Sequence, residues 1–175
     1  SKHFEWNEKK LFEAISLICR HDSDKLWDLS DSPRTPESFA DTLKKLNLPN
    51  LTIHHYRENT LGPLHCTLKE SKFTWITPDS MSMLYESLTA GSPTAIFNQP
   101  AKKPNRPSRI AKHIDELIAD RTITCFEQWK TSLLKIEPDP EISDMSSKPQ
   151  KVLWEADRAA HWLLERVFES KEAKK

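Results

Sequence analysis

The segment from Phe73 to Pro100 constrains the fold of this chain most, because its pattern is typical of a strand–helix–strand unit. Phe73–Thr77 is a short β-prone run that a proline closes, and the residues after it favour a helix. Gly91 stands where a helix C-terminus favours a left-handed residue. The strand pattern then resumes at Thr94–Phe97. Strands that alternate with helices in this way predict a parallel sheet.

The rest of the chain shows the same alternation. The predicted helices are Glu8–Cys19, Glu37–Leu46, Leu61–Glu70, Ser108–Ala119, Phe126–Leu134 and Val152–Phe168. The other predicted strands are Lys25–Leu29, Leu51–Tyr56 and Thr122–Cys125. A stretch rich in Pro, Ser and Asp, Glu137–Gln150, is typical of a linker. We therefore predict a Rossmann-like, three-layer α/β/α domain with a parallel sheet over residues 1–136, a linker at 137–150, and a C-terminal helix within 151–175 that packs back on the domain.

Charge and hydropathy exclude several classes of protein. The chain has 26 Lys and Arg against 26 Asp and Glu, so no net charge attracts nucleic acid or an anionic membrane. No apolar run approaches the ~20 residues of a membrane-spanning helix. The charged and aromatic residues at the start are unlike those of a signal peptide. We therefore expect a cytoplasmic protein that does not bind nucleic acid.

The glycine, cysteine and histidine residues further restrict which phosphate-binding and metal-binding sites the chain can form. With two glycines, Gly62 and Gly91, the sequence contains no P-loop and no glycine-rich dinucleotide turn, so a phosphate site must use helix N-termini and hydroxyl groups. Three cysteines stand far apart without metal-ligand spacing, which favours buried, reduced thiols. The adjacent His54 and His55 point to opposite faces of a strand, so we expect no metal site there.

A candidate anion site lies where the strand Phe73–Thr77 meets the next helix. Asp79 and Ser80 both suit the N-cap position, and the first amides of a helix point towards the carboxyl end of the preceding strand. Ser82 and Glu86 are four residues apart, hence on one helical face and separated by ~6 Å along the axis. This separation suits a phosphate followed by a ribose, whose hydroxyl groups can donate to a carboxylate.

The same residues also have a simpler interpretation. Leu84 and Leu88 lie nearly opposite Glu86 on a helical wheel, so Glu86 is also what the solvated face of an amphipathic helix would carry. The pattern alone favours that interpretation. Arg34 and Thr35 likewise fit either a crevice shared with this anion site or an exposed turn.

One strand is missing from the expected order. A doubly wound sheet normally begins with a strand that leads into its first helix, whereas here Glu8–Cys19 follows the start of the sequence almost directly. We expect that strand to belong between Lys25–Leu29 and Phe73–Thr77 in a longer protein; an α/β domain that begins with a helix is the alternative. Without it, these two strands have unpaired edges unless they pair directly or a second copy supplies a strand.

Several short motifs, taken in order, resemble one protein family. The residues that carry the resemblance are Ser1, Lys2, His3, Phe4, Trp6, Ser32, Arg34, Thr35, Pro36, Asn59, Thr77, Asp79, Ser80, Ser82, Met83, Glu86, Ala90, Gly91 and Pro93. Together they resemble the mitochondrial-fission (elongated-mitochondria) family, many of whose bacterial members are labelled nucleoside-diphosphate-sugar epimerase-like. The resemblance covers most of residues 1–130.

The resemblance implies a two-domain GT-B-type protein of which this chain is the C-terminal half, with an N-terminal half-domain as its partner. It implies a nucleotide-diphospho-sugar as ligand and no separate cofactor. The residues that it assigns to this ligand are Asp79, Ser80, Met81 and Ser82 at the diphosphate, Glu86 at the ribose, Arg34, Thr35 and Asn59 nearby, and Ser1, Lys2 and His3 as further phosphate candidates.

Three functions are compatible with this family. The first is binding of the sugar donor for glycosyl transfer, with the catalytic residues unknown and this fragment inactive alone. The second is a non-catalytic interaction module, as the eukaryotic branch implies by recruiting dynamin-like fission machinery. The third is sugar-nucleotide epimerisation. Association with a membrane surface or an acceptor lipid, and formation of an oligomer, stay open.

Overall fold

A computed structural model of the chain describes residues 3–58 and 60–133. The helices are α1 (Glu8–His21), α2 (Glu37–Lys44), α3 (Leu64–Glu70), α4 (Met81–Ala90), α5 (Arg109–Ala119) and α6 (Phe126–Leu133). The strands are β1 (Trp27–Ser30), β2 (Leu51–His54), β3 (Thr74–Ile76), β4 (Thr94–Ile96) and β5 (Thr124–Cys125). The predicted linker and C-terminal helix, and the candidates Ser1, Lys2 and Asn59, lie outside the described residues.

Each predicted element within the described residues is confirmed, with small shifts of its bounds. The largest shift is at α3, which we predicted to begin at Leu61 and which begins at Leu64 because Pro63 occupies its N-cap position. By contrast, the C-terminus of α4 lies where we predicted it. Gly91 has a φ of 77°, its amide donates to the Leu88 carbonyl, and the Ser92 amide donates to the Ser87 carbonyl. These bonds form the Schellman pattern that satisfies the last carbonyls of a helix.

The strands are parallel and form two sheets. In one sheet β1 pairs with β2, and in the other β3, β4 and β5 pair in that order. We predicted that the strands now labelled β1 and β3 would flank a missing strand. They do not pair with each other, and within the described residues each has a partner on one edge only.

Helices cover both faces of the sheet that contains β3. Trp75 and Ile76 are neighbours in this strand, so their side chains point to opposite faces. Ile76 packs in one apolar cluster with residues of α4 and α5. Trp75 packs in a second cluster with residues of α1, α2 and α6, and its ring lies 5.6 Å from that of Trp129 and 5.3 Å from that of Phe97. The result is the predicted three-layer α/β/α arrangement.

The second cluster also joins the two sheets. Leu29 of β1 and Ile53 of β2 pack against the same group of α1 and α2 side chains as Trp75. One layer of helices therefore covers both the β1–β2 sheet and the β3–β4–β5 sheet.

The residues before α1 lie beyond the carboxyl end of β4. Phe4 forms an antiparallel bridge with Ala101, and the Glu5 amide donates to the Pro100 carbonyl at 2.8 Å. The Phe4 side chain is buried in the cluster of α4 and α5. This segment is thereby held at the end of the sheet where ligands bind in α/β folds.

Two further findings concern the cysteines and the membrane. Cys19 and Cys125 are buried as expected, but Cys66 is exposed, so the prediction of buried thiols was wrong for it. Cys66 lies in the first turn of the short α3, which buries Leu68 and leaves the opposite side in solvent. No helix of the described residues is long and apolar enough to span a bilayer.

Candidate functional site

A small cavity of about 130 Å³ lies beyond the carboxyl ends of β1, β3 and β4. It is lined by Phe4, Glu5, Trp6, Arg34, Pro36, Thr77, Pro78, Asp79 and Gln99. These residues come from the segment before α1, the turn after β1, the turn after β3 and the segment after β4. The cavity therefore bridges the two sheets at their carboxyl ends, which is the usual position of a ligand site in a doubly wound fold.

The N-terminus of α4 borders this cavity. Ser80 is its N-cap residue, and the Ser80 side chain makes no capping hydrogen bond. The Ser80 amide donates to the Thr77 carbonyl at 3.1 Å, and the Leu84 amide donates to the Ser80 carbonyl at 3.0 Å. Among the described residues the amides of Met81, Ser82 and Met83 donate to no acceptor. Three free amides and the positive end of the helix dipole together favour an anion.

The turn after β1 brings a cation to the same place. Thr35 Oγ1 accepts from the Ser32 amide at 3.0 Å and contacts Ser32 Oγ at 3.2 Å, so the Thr35 hydroxyl holds the turn together. Arg34 Nη2 lies 3.9 Å from Asp79 Oδ2, which is an ion pair too long for a hydrogen bond. The Arg34 side chain is 61% exposed. It therefore remains available to an anionic ligand.

Ser82 and Glu86 lie on one face of α4, as their spacing predicts. Ser82 Oγ donates to Glu86 Oε1 at 2.6 Å, and both side chains are exposed. Neither residue lines the cavity, since both lie further along the helix from its N-terminus. An exposed carboxylate is compatible with binding a ribose and equally with being solvated on a helix face. The role of Glu86 in ligand binding therefore stays a prediction.

The remaining sequence candidates are spread over the crevice and its surroundings. The His3 carbonyl accepts from the Lys102 amide at 2.9 Å, which ties the segment before α1 to the loop after β4. The two neighbouring histidines have separate partners: His54 Nε2 lies 2.7 Å from Asp28 Oδ1, and His55 Nδ1 lies 3.7 Å from Asp31 Oδ1. No group of three or more potential metal-ligating side chains comes together in the part of the chain that the structure describes.

Sequence reasoning missed Gln99. Its Oε1 atom accepts from the Asn7 amide at 2.9 Å, and its Nε2 atom is buried without a hydrogen-bond partner among the described residues. One signal could have identified it. Gln99 follows the predicted strand Thr94–Phe97 by two residues, and polar residues at the carboxyl end of a parallel strand often contact ligands.

Comparison with known proteins gives one finding. A family model described as Mitochondrial fission ELM1 matches residues 1–167. No curated protein and no solved structure matches the chain. The match extends over nearly the whole sequence and includes every residue of the crevice.

Proposed function

The chain belongs to the Mitochondrial fission ELM1 family, and within that family we propose that it is the nucleotide-diphospho-sugar-binding half of a GT-B-type, glycosyltransferase-like protein. The observation that carries this proposal is the N-terminus of α4, where three amides without acceptors adjoin a cavity at the carboxyl ends of the strands. Such a helix end is suited to a diphosphate, because free amides and the helix dipole both stabilise negative charge.

In this proposal the diphosphate lies at the N-terminus of α4, and the nucleoside extends from it along the helix towards Glu86. The amides of Met81 and Ser82 hold the phosphates, and Arg34 adds a positive charge from the neighbouring turn. Glu86 lies one turn further along the helix, where its carboxylate accepts hydrogen bonds from the ribose hydroxyls. Asp79 and Ser80 shape the turn that exposes the amides.

Other parts of this proposal come from the resemblance alone. The resemblance assigns Asn59 to the nucleotide-sugar, and Ser1, Lys2 and His3 to phosphate. The N-terminal half-domain supplies the acceptor site and the catalytic base, so this chain alone does not turn over substrate. Residues on this chain that act in catalysis are not assigned.

A second candidate function is a non-catalytic interaction module. The family description favours it, since it names mitochondrial fission rather than an enzymatic reaction. Sugar-nucleotide epimerisation is a third function that the same ligand site would serve. Retained nucleotide affinity separates the first and third functions from the second.

A thermal-stabilisation screen of the full-length protein against nucleotide sugars tests the proposal. A ligand present at 100 times its dissociation constant stabilises the folded state by about 2.7 kcal/mol, which raises the melting temperature measurably. We expect at least one nucleotide-diphospho-sugar to do so, and the matching nucleoside and free sugar to have no effect. Absence of stabilisation by every nucleotide sugar would favour the interaction module.

Two variants of Met81 isolate the contribution of the amides. Met81→Pro removes the free amide at the first position of α4, where proline is tolerated, and Met81→Ala removes most of the same side chain but keeps that amide. We expect the proline variant to bind the ligand of the screen more weakly than the alanine variant does. Equal affinities of the two variants would contradict an anion site at these amides.

A further inference from the structure

The loop that leads into α5 carries four positive charges and no negative one. Its cations are Lys102, Lys103, Arg106 and Arg109. All four side chains are exposed, and none forms an ion pair among the described residues. The Arg106 amide donates to the Lys103 carbonyl at 3.1 Å, so a turn keeps these charges close together. We call residues 102–109 the cationic loop.

This arrangement is electrostatically unfavourable in two ways. The four like charges repel each other, and Arg109 is the first residue of α5, where the helix dipole disfavours a cation. The first turn of α5 contains no acidic residue, whereas the first turns of α1 and α2 contain Glu8 and Glu37. A negatively charged partner on the cationic loop would relieve both effects.

The sequence that follows α6 contains such a partner. Residues 137–144, which we call the acidic segment, include four carboxylates and neither Lys nor Arg. The carboxylates belong to Glu137, Asp139, Glu141 and Asp144. The acidic segment lies outside the described residues. Its charge is equal in magnitude and opposite in sign to that of the cationic loop.

The acidic segment is long enough to reach this loop. Asp144 comes eleven residues after Leu133, the last residue of α6, and an extended chain covers up to ~3.5 Å per residue, or ~38 Å in all. A compact domain of this size has a radius of gyration of only ~14 Å. A tether of this length gives a local concentration on the order of millimolar. Several weak ion pairs between exposed groups are then enough for measurable occupancy.

We propose that the cationic loop is a docking surface for the acidic segment of the same chain. The charges of the two stretches match in number and are opposite in sign. Docking places carboxylates beside the N-terminus of α5, where the helix dipole favours them. The contact is sensitive to salt, since the Debye length falls from ~10 Å at 0.1 M to ~3 Å at 1 M. This inference does not depend on the nucleotide-sugar site.

Carbodiimide cross-linking of the whole chain tests the docking, because this reagent joins a Lys amine to a carboxylate only when the two are in contact. Lys45 is the matched control: it is exposed, forms no ion pair among the described residues, and lies beside Leu46, which packs in the same apolar cluster as Leu133. Chance contacts of the chain just after α6 therefore favour Lys45. In the monomeric fraction at low salt we expect Lys102 and Lys103 each to give about 5-fold more links to the acidic segment than Lys45 does.

A double variant separates attraction from mere reactivity. Arg106→Gln with Arg109→Gln removes two positive charges and leaves the amines of Lys102 and Lys103 in place. Relative to those of Lys45, their links to the acidic segment should fall severalfold in this variant and in 1 M salt. Both arginines are exposed, so the variant should fold, which a thermal melt checks. Equal yields at the loop and at Lys45, or yields that neither change lowers, would overturn the docking.

An external polyanion is the alternative occupant of the cationic loop. The wild-type chain is therefore also mixed, at the same low salt, with phosphatidylglycerol vesicles and with a single-stranded oligonucleotide. We expect binding to neither, because the acidic segment occupies the loop. Binding to either one that is lost in Lys102→Gln with Lys103→Gln would assign the loop to that partner and overturn this inference.

Discussion

At the scale of single residues, several polar side chains in the cavity and on the neighbouring α4 use only part of their hydrogen-bonding capacity within the described residues. Glu86 Oε1 accepts from Ser82, and no described residue pairs with the second carboxylate oxygen. Arg34 reaches Asp79 at 3.9 Å without forming a hydrogen bond. Gln99 Nε2 has no acceptor among the described residues. Partly used groups at one edge of a sheet are what a ligand site requires before its ligand binds.

The first prediction concerns Glu86. In the full-length protein, Glu86→Ala should weaken nucleotide-sugar binding by ~1.5–3 kcal/mol, because hydrogen bonds to a charged acceptor are lost. The free energy of unfolding should change by less than ~0.5 kcal/mol, since the side chain is exposed. Isothermal titration and denaturant melts measure the two quantities. Thr89→Ala is the control, because Thr89 is exposed on the same helix.

Two results would contradict the prediction for Glu86. An unchanged affinity would leave Glu86 as a residue of a solvated helix face. A large loss of stability would make it a structural residue instead.

The second prediction concerns the three cysteines. Burial, with the Asp22 charge as a lesser cause, raises the pKa of the Cys19 thiol from 9.0 to about 11, so this thiol stays protonated at pH 8. Cys125 is buried as well, whereas Cys66 is exposed. In the native protein at pH 8 we therefore expect iodoacetamide to label Cys66 first, and all three cysteines to react in denaturant. Peptide mass spectrometry identifies the labelled residue; fast native labelling of Cys19 would contradict the burial.

The raised pKa of Cys19 also has a consequence for stability. Between pH 9 and 11 the unfolded chain releases the thiol proton that the folded chain retains. Because the folded state then binds more protons, its stability falls as the pH rises through this range and is unaffected by this group below pH 9.

At the scale of elements, the helices differ in how their N-termini are satisfied. Asn7 Oδ1 accepts from the Lys10 amide at the start of α1, and Ser108 Oγ accepts from the Ala111 amide at the start of α5. Ser80 stands in the same position at α4 and makes no such bond. The same residue type therefore caps one helix and leaves another open beside a cavity.

A third prediction follows from this difference. Ser108→Ala should destabilise the protein by about 1 kcal/mol, the usual effect of losing a capping side chain, whereas Ser80→Ala should cost only a few tenths of a kcal/mol. Thermal or denaturant melts of the two variants give the comparison directly. If Ser80→Ala cost as much as Ser108→Ala, the amides of α4 would be capped in solution and less available to an anion.

At the scale of the whole molecule, the described residues contain six helices but five strands. Five strands are each followed by a helix, and α1 is the helix that no described strand precedes. The two sheets share one covering layer of helices, yet β1 and β3 do not pair. Among the described residues, β1 and β3 therefore each have one edge without a partner strand.

The fourth prediction tests this arrangement. A form of the protein that is longer upstream by one strand of ~5–6 residues and its turn should be more stable and more monomeric, because unpaired edges of parallel strands favour association. Thermal melts and light scattering on the two forms measure these properties. Equal stability and equal association would mean that the edges of β1 and β3 need no further strand.

The sequence by itself predicted which segments become helices and strands. Gly91 ends α4, and short β-prone runs mark the strands of both sheets, since these signals act between residues that are neighbours in the chain. The spacing of Ser82 and Glu86 predicted that they share a helical face, and their hydrogen bond confirms it. Local periodicity is enough for such statements because helix geometry relates residues four positions apart.

Only the tertiary structure decided which residues meet at the crevice. Gln99 is bonded to Asn7 across 92 positions, and Arg34 reaches Asp79 from another sheet. It also decided that Ser80 leaves its helix uncapped and that Cys66, unlike Cys19, is exposed. These outcomes depend on how distant segments pack against each other. The composition and spacing of a single segment contain no information about the neighbour that packing brings to it.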